Sequence, residues 1–130
     1  MGRIASMLLL LVFPFFGCRE DKGILCTQEY RFLVISIKNS ASLPVLLTRY
    51  YVQKTGTGET LEFPDSTGRV HGKYCLITDS QMSMTIKTGS EFIFHGLVDT
   101  NEVVREKYLV GNDGCHINLI AGKTEIVILK

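Results

Sequence analysis

The 130-residue chain has almost no excess of either charge: 14 Lys and Arg stand against 13 Asp and Glu, a formal net charge of +1. Without a basic stripe there is no electrostatic footprint for a nucleic acid, and none is expected as a partner. A long apolar run is also missing. The uncharged stretch Met7 to Phe16 falls short of the ~20 residues that cross a bilayer, and it contains Pro14. The strong chemical signatures are absent too. There is no His-Glu-x-x-His and no acidic calcium loop, so no metal or other cofactor is expected. No Cys-x-x-Cys spells a redox pair, and no Gly-x-Ser-x-Gly elbow presents a nucleophile. No internal repeat or low-complexity tract occurs. What the chain does have is 45% hydrophobic residues, enough for one packed domain and too many for a disordered tail.

The N-terminus reads as an address. One basic residue, Arg3, precedes the short apolar run, which is the form of a secretory leader. The run ends in Phe15-Phe16-Gly17-Cys18, which resembles the lipobox of bacterial lipoproteins, where a small residue immediately precedes the cysteine. In that family the thiol takes a diacylglyceryl group, the leader is cut before the cysteine, and the new amine is acylated. Phe15 stands where a Leu is commonest. The resemblance implies a leader over 1–17, a lipidated Cys18 with a short linker over 18–25, and a folded domain over 26–130. Each buried lipid methylene contributes about 0.8 kcal/mol, so two or more chains anchor stably. Arg19 to Leu25 reach roughly 25 Å at about 3.3–3.6 Å per residue, so the domain is expected close to a membrane. Removing residues 1–17 takes away one charge, Arg3, and leaves a neutral mature chain. Arg19-Glu20-Asp21 resembles the acidic tracts that route some Gram-negative lipoproteins to the cell surface. The expected location is the cell envelope, on the outer membrane.

From Glu29 onward, short segments rich in Val, Ile, Tyr and Phe alternate with Gly, Asn, Asp and Ser. The pattern predicts strands over Glu29–Lys38, Val45–Gln53, Thr60–Phe63, Lys73–Thr78, Glu91–Val98 and Thr124–Leu129. Two more flank the turn Gly111-Asn112-Asp113-Gly114, and Asp65 to Gly68 is a further break. Met82, Met84 and Ile86 alternate with Ser83, Thr85 and Lys87, a period of two that predicts a strand with the methionines in the core. The stretch after Asn101 fits a short helix or a strand, and its adjacent β-branched residues favour the strand. Seven to eight short strands predict an all-β, antiparallel sandwich.

Two stretches carry a resemblance that agrees. Strand, polar turn, Pro-Val, strand and Thr-Gly turn over Ile37 to Gly58 resemble the start of transthyretin-like and carboxypeptidase-regulatory-like sandwich modules. Phe92 to Gly96, Val103-Val104, Tyr108 to Ile117 and Gly122 resemble a group of small Gram-negative lipoproteins of undefined function. These motifs are structural, so they imply a fold rather than an activity.

With Cys18 assigned to lipid, Cys26, Cys75 and Cys115 remain for an oxidising compartment. Cys26–Cys115 is the favoured disulfide, because early and late strands of a sandwich often lie close. Cys75–Cys115 is the competitor, and Cys75 otherwise packs as a buried thiol. Asp113-Gly114-Cys115-His116 is the tightest polar cluster. It leaves open a metal-dependent or hydrolytic activity centred on Asp113 and His116, with His95 as a third member. The favoured reading is no enzyme: Asp113 serves its turn and His116 bonds on a strand face. Tyr50-Tyr51 is the candidate binding surface, with one ring facing inward and the other, beside Arg49, open to a protein or carbohydrate partner. A secreted-type enzyme inhibitor, presenting the turn Thr55 to Gly58, is the remaining alternative.

Overall fold

The computed structural model describes residues 23, 25–64 and 69–129. The expected leader, Cys18, most of the linker and the break at 65–68 lie outside them. Eight strands follow in order: β1 (Phe32–Asn39), β2 (Arg49–Lys54), β3 (Thr60–Leu61), β4 (Lys73–Thr78), β5 (Ser90–Val98), β6 (Asn101–Asn112), β7 (Ile117–Ala121) and β8 (Glu125–Ile128). They build two sheets, one ordered β4-β1-β8 and the other β3-β2-β5-β6-β7. The described residues are therefore all-β in character, as the segment pattern predicts.

Alternation along the strands explains how the sheets close on each other. Ile35 and Ile37 of β1, Tyr74 and Leu76 of β4 and Ile126 of β8 face Tyr50 and Val52 of β2, Phe92 and Phe94 of β5, and Val104, Tyr108 and Val110 of β6. All are buried. Three aromatic rings bind the layers: Tyr50 stacks on Phe94 at 5.4 Å and meets Tyr74 edge-on at 5.1 Å between centroids.

The stretch after Asn101 is a strand, twelve residues long, and it pairs along β5 from Ser90–Val110 to Val98–Asn101. Three expectations are corrected. Met82 to Ile86 is not a strand; Asp79–Met84 is a 3₁₀ helix. The local reason is a capping box: the Thr78 hydroxyl accepts from Ser80 N–H, and the Gln81 side-chain Oε1 accepts from Thr78 N–H. Met82 and Met84 still pack against the core. The strand expected from Val45 begins only at Arg49, because the Tyr74 hydroxyl holds the segment before it. That hydroxyl donates to Val45 O at 2.7 Å and accepts from Leu47 N–H at 2.8 Å.

The sheets are also not wholly antiparallel, since β8 runs parallel to β1. After β7 the chain crosses from one sheet to the other at Gly122 and Lys123. Gly122 has φ +134° and lies against the Tyr108 ring, where a Cβ would come within 2.3 Å of Cδ1. The Tyr108 hydroxyl donates to Lys123 O at 2.7 Å. The crossing delivers β8 in the direction of β1.

Candidate functional site

The segment Leu25 to Arg31 belongs to no strand, yet it is fastened to the body at four places. Cys26 is disulfide-bonded to Cys115 in the β6–β7 turn, 89 residues away, with Cα atoms 5.2 Å apart. The Thr27 hydroxyl lies 2.9 Å from His116 Nε2. The Tyr30 hydroxyl lies 2.7 Å from both Thr78 Oγ1 and Ser80 Oγ. Arg31 N–H donates to Asp79 Oδ2 at 2.8 Å, and Asp79 N–H returns a bond to Arg31 O at 2.9 Å. Together these bonds form a clamp at one end of the sandwich.

Asp79 and His116 are its hub. Asp79 Oδ1 accepts from Ile117 N–H at 2.9 Å, and Oδ2 lies 2.8 Å from His116 Nδ1. The His116 side chain is buried and that of Asp79 is mostly covered. Burial alone would raise the Asp79 carboxyl, but the N–H groups of Arg31 and Ile117 and the His116 ring outweigh it and hold the carboxyl below its ordinary value. A carboxylate only accepts, so His116 Nδ1 carries a proton toward Asp79, while Nε2 faces the Thr27 hydroxyl.

Asp113 is placed otherwise than a metal or catalytic reading requires. Its Oδ1 accepts from the N–H groups of His116 and Cys115 at 2.7 and 2.8 Å, and these bonds hold its carboxyl below the ordinary range. The carboxylate shapes its own turn, while the His116 ring turns to Asp79. His95 lies on β5, with Nδ1 3.3 Å from Glu102 Oε1. Among the described residues no group of three His, Cys, Asp or Glu side chains could hold a metal ion. A shallow cleft of about 530 Å³ lies between Asn101–Glu106 and Ile126–Leu129, with no histidine or cysteine in its walls.

The two tyrosines part company across β2. Tyr50 is buried in the core, which removes it from the candidate binding surface; its hydroxyl finds no hydrogen-bond partner among the described residues, and burial pushes its pKa up to about 12. Tyr51 faces outward and half-buried. Its ring stacks on His95 with centroids 4.5 Å apart, and the Arg49 guanidinium lies 5.4 Å over its centre. Arg49 is paired with Glu62. The result is a row across the outer face of the larger sheet: Glu62, Arg49, Tyr51, His95 and Glu102. Arg105, exposed and directly opposite His95 in register, extends it.

Cys75 is a free, half-buried thiol beside Val34, and desolvation pushes its pKa up to about 11. A thiol so raised is a poor nucleophile at neutral pH. The chain matches no protein family, no curated protein and no solved structure. Sequence reasoning missed Asp79 and Thr27. The only available signal for Asp79 was the capping box Thr78-Asp79-Ser80-Gln81, which marks a helix start but says nothing of a partner 37 residues away.

Proposed function

We propose that this chain is a lipid-anchored envelope protein whose transthyretin-like sandwich binds a partner rather than catalysing a reaction. Cleavage before Cys18 and lipidation of its thiol would tether it, on the outer membrane, without cofactor or metal. The observation that carries the reading is the clamp. The first described residues after the linker are tied by Cys26–Cys115 and by Thr27, Tyr30 and Arg31 to one end of the sandwich. A covalent tie at that point passes any pull on a tether straight into the core instead of peeling off an edge strand. Closing a loop of this size stabilises by about 4.6 kcal/mol in the chain-entropy description.

A body held at that end turns its sheet faces and its opposite end, with the turns at Ser40–Ser42 and Asp99–Thr100, toward other molecules. The outer row at Arg49, Tyr51 and Arg105 is the surface we assign to a protein or carbohydrate partner. Its aromatic edge, the exposed Arg105 guanidinium and the carboxylates of Glu62 and Glu102 suit a ligand rich in hydroxyl groups or mixed charge. The test is a photo-cross-linking residue at Tyr51 in intact envelopes, with the same residue at Lys73 as control. Capture of a discrete species from position 51 alone supports the assignment, and equal capture from both or none from either contradicts it.

A second reading, hydrolysis, draws on one observation. Thr27, His116 and Asp79 stand in line as hydroxyl, imidazole and carboxylate, the order of a nucleophilic triad. That reading predicts that a fluorophosphonate ester labels Thr27 and that His116→Gln abolishes labelling. The clamp predicts no labelling, and a looser N-terminal segment in the same variant.

A further inference from the structure

Four large apolar side chains stand in water at the clamped end: Leu25 is 97% exposed, Phe32 61%, Ile86 59% and Tyr30 57%. Their positions ring one another. Leu25 precedes Cys26, which is bonded to the β6–β7 turn. Tyr30 reaches Thr78 and Ser80, and Phe32 lies opposite Thr78 in register. Ile86 follows Thr85, whose hydroxyl and carbonyl accept from the Asn112 amide at 2.8 and 3.0 Å beside the same turn. Single exposed apolar residues need no explanation, but a group at one end does.

We infer that this end lies against the bilayer itself, with Leu25, Tyr30, Phe32 and Ile86 dipping into the boundary between headgroups and acyl chains. The inference rests on the lipid-anchor reading above. What singles out this end is where the tether enters. Only the residues from Arg19 to Ile24 separate Cys18 from Leu25, a reach of roughly 20 Å at full extension. A second exposed apolar group, Leu43, Leu46 and Val70, lies toward the opposite end, away from where the tether enters. Charges at the clamped end come in both signs, with Arg31 and Lys87 exposed among Glu29 and Asp113. Binding there draws on apolar burial, not on anionic lipid, and zwitterionic vesicles suffice. A tyrosine whose hydroxyl is already bonded to Thr78 and Ser80 suits such a boundary.

The chain contains no tryptophan, so a single one reports cleanly. The test uses lipidated full-length protein on phosphatidylcholine vesicles with brominated acyl chains. One variant carries Ile86→Trp, and the other Thr100→Trp in the β5–β6 turn at the far end. We expect both to float with the vesicles. Tryptophan at 86 should shift to the blue and lose a large part of its emission to bromine, while tryptophan at 100 keeps its emission. Adding Leu25→Ser and Phe32→Ser, both at exposed positions, should relieve the quenching at 86 without preventing flotation. Flotation with neither reporter quenched, with both quenched alike, or with quenching at 86 indifferent to the two serines would overturn the inference and leave the anchor standing. Failure of both proteins to float would remove the anchor, and the inference with it.

Discussion

Asp79 and His116, 37 positions apart in sequence, meet at 2.8 Å at the end of the sandwich where the chain enters its folded body. Each then holds a different part of the entering segment: Asp79 takes Arg31 N–H, and His116 takes the Thr27 hydroxyl. The pair does locally what the neighbouring disulfide does covalently. A carboxylate that would be neutral in an apolar setting is kept charged there by three donors from two separate stretches of chain, Arg31 and His116-Ile117.

That charge sets a pH dependence. The folded-state pKa of Asp79 lies below its unfolded value, so its contribution is fully present above about 3.9, the ordinary aspartate value, and is lost as pH falls through the folded value. Asp113 acts in the same sense through its turn. Denaturant midpoints measured from pH 6 downward should fall steeply over that acid window. In Asp79→Asn, stability at neutral pH should be lower and the acid limb shallower.

Breaking the covalent part of the clamp should cost more. Cys26→Ser closes no loop and should lower stability by about 4–5 kcal/mol at neutral pH. Limited proteolysis should then cut first between Leu25 and Arg31, ahead of any cut within the strands. Equal proteolytic patterns in the two proteins would deny the segment its dependence on the bridge.

Two buried tyrosines make opposite predictions for the same change. The Tyr74 hydroxyl satisfies Val45 O and Leu47 N–H, so Tyr74→Phe leaves buried backbone groups unpaired and should destabilise by about 1–3 kcal/mol. The Tyr50 hydroxyl has no partner among the described residues, so Tyr50→Phe removes an unsatisfied polar atom and should be neutral or stabilising. Chemical denaturation of both variants beside the wild type checks the pair.

Cys75, raised to about 11, should resist alkylation in the native protein at pH 7.5 and gain reactivity only as pH approaches that value. Mass spectrometry after timed iodoacetamide treatment should find Cys75 modified slowly in buffer and quickly in guanidinium chloride. Rapid native labelling would mean the strand edge at β4 opens readily.

Much of this fold was legible because strands advertise themselves through alternation. Ile35 and Ile37, Phe92 and Phe94, and Tyr108 and Val110 each mark an inward face two residues apart, and all six are buried. Alternation misled at Met82 and Met84, since a 3₁₀ turn can bury the same residues and the Thr78–Gln81 cap decided between them. The direction of β8 was not legible, because it depends on where the chain crosses at Gly122 and not on any property of Glu125 to Ile128. The site was harder still. Cys26–Cys115 could be argued from strand order, but the His116–Asp79 pairing is a tertiary fact with no local sequence pattern. Tyr50 and Tyr51 were correctly expected to face opposite ways; which one faced the core required the register with β5.

The most direct test concerns the mature N-terminal peptide. Detergent-extracted protein digested with trypsin should yield a first peptide that begins at Cys18 and carries the mass of a diacylglyceryl thioether and an amide-linked acyl chain, and Cys18→Ser should abolish it. A first peptide that begins elsewhere, or begins at an unmodified Cys18, would contradict the account.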